Sequence, residues 1–165
     1  MKNVIGIFAA ILVLAGLVYI ARPSGAGDTQ KREESDTSSS VLLAEETSYD
    51  FEEVSMAKGN VSHSFKVKNV STSPVTIEKM YTSCMCTTAK LTMGGKVWGP
   101  YGMPGHMAIP KIGEALGAGE EAVIETVFDP AAHGPAGVGR IERQVTIENS
   151  AGEPVELKFV AVVVP

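Results

Sequence analysis

The stretch VSHSFKVKN, Val61 to Asn69, alternates without a break. Val61, His63, Phe65 and Val67 fall on one face, and Ser62, Ser64, Lys66 and Lys68 on the other. A period of two marks a strand with one face buried and the other wet, and a helix of 3.6 residues per turn cannot sort these side chains. The same pattern returns along the chain. After the turn STSP comes VTIEKMYT, with Val75 and Ile77 inward. AVIETVF (residues 122–128) is a β-branched run closed by Asp129-Pro130. RIERQVTIEN places Ile141, Val145 and Ile147 on one face, with Arg143 as the exception on that face. SAGEP turns the chain, and VELKFVAVVV brings Leu157, Phe159, Ala161 and Val163 to one side. Short strands divided by turn signals, with no convincing amphipathic helix, predict an all-β, antiparallel β-sandwich. Phe65, Val67, Ile77, Ile124, Phe128, Val145, Ile147, Leu157 and Phe159 are the expected core.

The N-terminus follows other rules. After Lys2 the chain is apolar from Val4 to Ala21, apart from two glycines and Tyr19. That length reaches across a bilayer as a helix, which takes about 17–25 residues. It exceeds the apolar core of a secretory signal, about 7–15 residues, although Ser24-Gly25-Ala26 resembles a small-residue cleavage site. Residues 1–21 therefore read as a signal anchor or signal peptide, with retention favoured by the run's length and its abrupt end at Arg22-Pro23. Residues 22–46 are polar and small at first and read as a flexible tether. A coil of about 25 residues spans roughly 25–30 Å. The expected organisation is a single-pass membrane protein whose domain, 47–165, lies outside the cytoplasm, periplasmic or extracellular. The net charge is −5 and no basic stripe with interleaved aromatics occurs, so nucleic acid is not an expected partner.

The chain holds two cysteines, Cys84 and Cys86, in TSCMCTTAK. On an extended strand they would present two sulfurs side by side, with Met85 facing away. Three readings stay open. The pair is structural, packed or bridged. It binds a soft metal, copper(I) above all, because thiolates and thioethers select Cu(I). Or it exchanges disulfides, although redox pairs more often take a Cys-x-x-Cys form at a helix N-terminus. The metal reading draws on a Gly/Pro/Met-rich insertion at about 92–119, in which Met103, His106 and Met107 lie within five residues. Cys84, Cys86, Met103, His106 and Met107 are thus the candidate Cu(I) ligands, with Met56 and Met80 placed outside the site. The plain alternative for the insertion is a loop capping a sheet edge. Zinc fits less well, since the spacings of structural zinc sites are missing. His63 is expected as a packed, hydrogen-bonded histidine, and His133, in PAAHGPAGVG, as a surface loop residue.

These blocks resemble a bacterial family, domain-of-unknown-function family 1573. Phe51-Glu52-Glu53, His63 to Asn69, Pro74 to Ile77 and Ser83-Cys84-Met85-Cys86-Thr87 stand where that family shows an FG-E opening, an h-x-F-x-x-x-N strand, a P-L-x-I strand and an S-C-G-C-T block. Gly119-Glu120, Phe128-Asp129, Gly134 and the last two strands fit its second half. Glu52 and Met85 replace glycines of the pattern, and the insertion around residues 98–110 is longer than the family's connection. The resemblance implies an immunoglobulin-like domain of the cell envelope, with about seven strands in two sheets, and no known activity.

No nucleophile elbow, zinc-protease helix or phosphate loop is present. The expectation is a protein that is not an enzyme: a membrane-tethered, immunoglobulin-like interaction module with an unknown envelope protein as partner. The alternatives are an extracytoplasmic Cu(I)-binding protein and a thiol redox protein.

Overall fold

The computed structural model describes residues 41–165. The expected anchor at 1–21 and most of the expected tether lie outside the described residues.

Among the described residues, ten strands form two five-stranded sheets. In chain order they are β1 (Leu42–Ala44), β2 (Ser48–Ser55), β3 (Val61–Asn69), β4 (Val75–Thr82), β5 (Thr87–Met93), β6 (Lys96–Tyr101), β7 (Glu114–Leu116), β8 (Glu121–Phe128), β9 (Gly139–Asn149) and β10 (Val155–Val164). One sheet runs β1-β3-β8-β5-β6 and the other β2-β10-β9-β4-β7. Every pairing is antiparallel except β2 with β10, which is parallel. The fold is therefore an all-β, antiparallel-rich sandwich, with three strands more than the seven expected.

The extra strands are β1, β6 and β7, and each sits at a sheet edge. β1 arises from the expected tether: Leu42 to Ala44 pair with Asn69 to Val67, and Glu45 N donates to Lys66 O at 3.0 Å. The first described strand thus precedes residue 47. β6 and β7 arise from the expected insertion. Gly94 and Gly95, both at positive φ, reverse the chain from β5 into β6. At Gly99 the β5–β6 ladder shifts register, and a Cβ there would lie 2.9 Å from Ala89 O, so only glycine fits this bulge. The irregular part of the insertion shrinks to residues 102–113.

The nine residues expected in the core are all fully buried. Alternation explains why: each strand turns its odd or even set toward the facing sheet. A main cluster surrounds Phe65, Ile77, Ile124, Val145 and Leu157. A second cluster at one end gathers Val54, Phe128, Phe159, Ala161 and Val163 around the two cysteines. Its aromatics meet edge-on or tilted, with Phe159 5.3 Å from Phe51 and 5.4 Å from Phe128 between ring centroids. His63 is half-buried, stacked on Tyr49 at 3.6 Å, with Nε2 hydrogen-bonded to Glu46 Oε1.

Glu52 has φ 59°, in the left-handed region, at a register shift in the β2–β10 ladder. Its amide donates to Asp50 Oδ1 at 2.7 Å. This is where the family pattern has glycine, and the backbone shows the reason. A left-handed conformation costs a side-chain-bearing residue about 1–2 kcal/mol, against about 0.5–1 kcal/mol of extra chain entropy for glycine. Glu52→Gly should raise stability by about 0.5–1 kcal/mol, read as a higher urea midpoint at unchanged slope.

Candidate functional site

Cys84 and Cys86 do not lie on a strand. They occupy the turn that carries the chain from β4 in one sheet to β5 in the other, closed by Thr87 N donating to Cys84 O at 3.1 Å. The turn still delivers the arrangement expected of a strand. Both cysteines are buried, at 9% and 2% exposure, while Met85 between them is 51% exposed. Thr82 Oγ1 donates within the turn, to Cys84 O and to Thr87 O, both at 3.0 Å. The two sulfurs are joined as a disulfide. A loop of about three residues loses little freedom when closed, so by the chain-entropy relation the bridge contributes only about 1.6 kcal/mol, a third of what a 100-residue loop gives. Global stabilisation is a weak reason for this bridge.

Two neighbours reach the sulfurs, each brought by its own backbone tie. Ser83 N donates to Gln144 O, and Gln144 N donates to Ser83 Oγ, both at 2.9 Å, fastening the turn to β9. The next residue back on β9, Arg143, is paired with Phe159 and so faces inward, where its Nε donates to Cys86 Sγ at 3.2 Å. On the other side, Asp129 N donates to Cys86 O at 2.9 Å, fixing the segment after β8. Asp129 Oδ1 accepts from Ala131 N at 2.9 Å and starts the turn that carries His133. His133 Nε2 lies 3.2 Å from Cys84 Sγ. Cys84, Cys86 and His133 offer three ligand atoms, all within 4.8 Å of one another. His133 is exposed, so one side of the group opens to solvent.

The expected ligand set thus divides. Cys84 and Cys86 come together, and His133 joins them rather than His106, which lies outside that group. Met103, His106 and Met107 form a turn of their own: the amides of His106 and Met107 donate to Met103 O at 3.2 and 3.1 Å. Met107 folds back on Gly102, with its Sδ 3.5 Å from where a Cβ there would stand. The root of this loop is tied to the residue just before the cysteine turn, through Thr82 N donating to Gly102 O at 3.0 Å. Met56 packs against the apolar cluster that includes the cysteines. A Cβ on Gly137 would stand 3.1 Å from His133 Cβ and 3.6 Å from Met56 Cε. Arg143 had a signal in the sequence, as the one charge on an apolar face. His133 had none.

A second feature lies at the sheet edges. β6 ends one sheet and β7 the other, and a cleft of about 220 Å³ lies between them, lined by Met93, Lys96, Trp98, Glu114, Ala115 and Glu120. Val97, on β6, is 61% exposed. Tyr101 closes the same strand from inside, and burial raises its phenol above the ordinary range.

Among solved structures, a protein of unknown function from Porphyromonas gingivalis is similar, with TM-score 0.54 and 14% identity over 74% of this chain; the chain spans 46% of that protein's length. The PapD-like domain 7 of human CEP192 is more distantly similar, with TM-score 0.45 and 13% identity over 75% of this chain and 85% of that domain. At such identities the likeness concerns the fold alone. No curated protein sequence matches the chain. From β1 to the turn after β5, the segment that includes the Ser83-Cys84-Met85-Cys86-Thr87 block, residues 42–95 match the family described as "Protein of unknown function (DUF1573)".

Proposed function

We propose that this protein is a membrane-tethered interaction module of the bacterial envelope, non-catalytic, which binds an extended segment of an envelope protein along β6. The observation that carries the reading is the open edge of β6, with Lys96 and Trp98 lining the cleft and Val97 exposed on the strand's other face. An unpaired strand edge is a row of free backbone donors and acceptors, a liability that proteins usually blunt. An added strand satisfies that row, while neighbouring pockets take its alternate side chains. Here Pro100 confines the open ladder to the first half of β6, since proline has no N–H to give. Trp98 offers apolar contact, and Lys96, Glu114 and Glu120 bring charge of both signs to the same cleft, which suits a segment with a central apolar residue and flanking charge. The apolar run at Val4–Ala21 supports the tether.

A photo-crosslinking residue at position 97 should give one discrete adduct in intact cells. The same residue at position 162, exposed on β10 within the other sheet, should give none. Adducts from 162 with none from 97 would move the binding face away from β6. For the tether, the full chain should sediment with membranes, and a chain lacking residues 1–21 should not.

A further inference from the structure

We infer that the β4–β5 turn, once reduced, binds a single Cu(I) ion through Cys84 Sγ, Cys86 Sγ and His133 Nε2. The three atoms already lie within 4.8 Å of one another, and breaking the S–S bond frees the two sulfurs to part around an ion. Two thiolates and an imidazole are a soft set, and three donors meet the low coordination that Cu(I) accepts, whereas a closed zinc site takes four. Backbone ties hold the turn on two sides: Ser83, next to Cys84, is fastened to Gln144 on β9, and Cys86 to Asp129 after β8. Such support holds a metal site in shape before the ion arrives.

Charge agrees with this assignment. Two thiolates and one Cu(I) leave a net charge of about −1 in a buried place, by simple ligand count. The Arg143 guanidinium, donating to Cys86 Sγ at 3.2 Å, supplies the compensating positive charge and a charge-assisted hydrogen bond to sulfur. This gives the one charge on the inner face of β9 a purpose. His133, exposed while the cysteines are not, marks the side of entry.

The disulfide is the metal-free oxidised state of the same site. A dithiol reductant breaks the S–S bond, delivers two electrons and two protons to Cys84 and Cys86, and leaves as its own disulfide. Cu(I) then displaces the thiol protons and does not change oxidation state. The inference does not rest on β6: loss of the crosslink at position 97 would leave it untouched.

The test uses the full chain in detergent, reduced anaerobically with a dithiol, desalted, and titrated against a coloured Cu(I) chelator. One Cu(I) per chain is expected, with X-ray absorption showing two sulfur neighbours and one nitrogen. Cys84→Ser with Cys86→Ser should abolish binding. His133→Ala, at an exposed position that spares the fold, should weaken it at least tenfold and remove the nitrogen signal. His106→Ala and Met103→Leu with Met107→Leu should leave it unchanged. Thermal melting confirms that each variant is folded. Equal Cu(I) affinity in the double cysteine variant would overturn the inference. So would a loss of binding in the Met103/Met107 variant with His133→Ala unaffected. Reduced protein that leaves all Cu(I) with the chelator while trading its disulfide with the dithiol would overturn it in favour of thiol exchange.

Discussion

Phe159→Ala should lower the stability of the domain by about 3–5 kcal/mol, the range for emptying a well-packed aromatic site. Phe159 is fully buried on β10, a strand paired on both sides. Its ring is the hinge of an aromatic chain, 5.3 Å from Phe51 and 5.4 Å from Phe128. It also belongs to the cluster that includes both cysteines, and its register partner is Arg143. The vacated space would be walled by rigid β-strands that cannot close over it, which places the cost toward the upper end. Urea denaturation checks the result. A loss below about 1 kcal/mol would mean that the second cluster is loosely packed. Because this ring underlies the cysteine turn, the same variant should also make the Cys84–Cys86 bridge quicker to reduce by a fixed concentration of dithiol.

Asn69→Ala should cost about 2–4 kcal/mol, far more than its size suggests. The side chain is fully buried at the end of β3 and uses all its hydrogen-bonding capacity locally. Nδ2 donates to Ser73 O and to Leu116 O, both at 2.9 Å, while Oδ1 accepts from Ser71 N at 3.0 Å and Ser71 Oγ at 2.7 Å. The amide thus closes the β3–β4 turn and ties it to β7. Alanine would strand the buried Leu116 carbonyl, and each such orphan costs about 1–3 kcal/mol. Asn69→Asp should do no better than alanine, because a carboxylate would turn an oxygen toward two carbonyl oxygens. Thermal melting of both variants tests this; an aspartate variant as stable as the parent would show that the donor side of the amide is dispensable. Asn69 ends the β3 strand, inside the segment that matches the family model, and these bonds give a physical account of that position.

What could be read in advance follows from range. The inner faces of β3, β4, β8, β9 and β10 are written locally, because a period of two sorts side chains whatever the strand later pairs with. All nine core residues chosen on that ground are buried. β1, β6 and β7 carry little alternation of their own and become strands because β3, β5 and β4 offer them an open edge. The bulge at Gly99 and the left-handed Glu52 are likewise properties of pairing rather than of local composition.

The site divides the same way. That two cysteines one residue apart would present their sulfurs together, with Met85 outside, was legible in the sequence, since a tight turn and a strand both allow it. Met103, His106 and Met107 matched the sulfurs in chemistry, and nothing local could show that their turn folds back on itself. His133 reaches Cys84 because β5 pairs with β8, so the segment leaving β8 begins beside the cysteine turn. Arg143 reaches Cys86 because β4 pairs with β9. The sequence by itself determined which residues face the interior and which chemistry the cysteine pair can offer. Only the tertiary structure decided which histidine and which arginine meet the sulfurs, because those encounters depend on strand pairings across two sheets, and no local pattern of side chains encodes them.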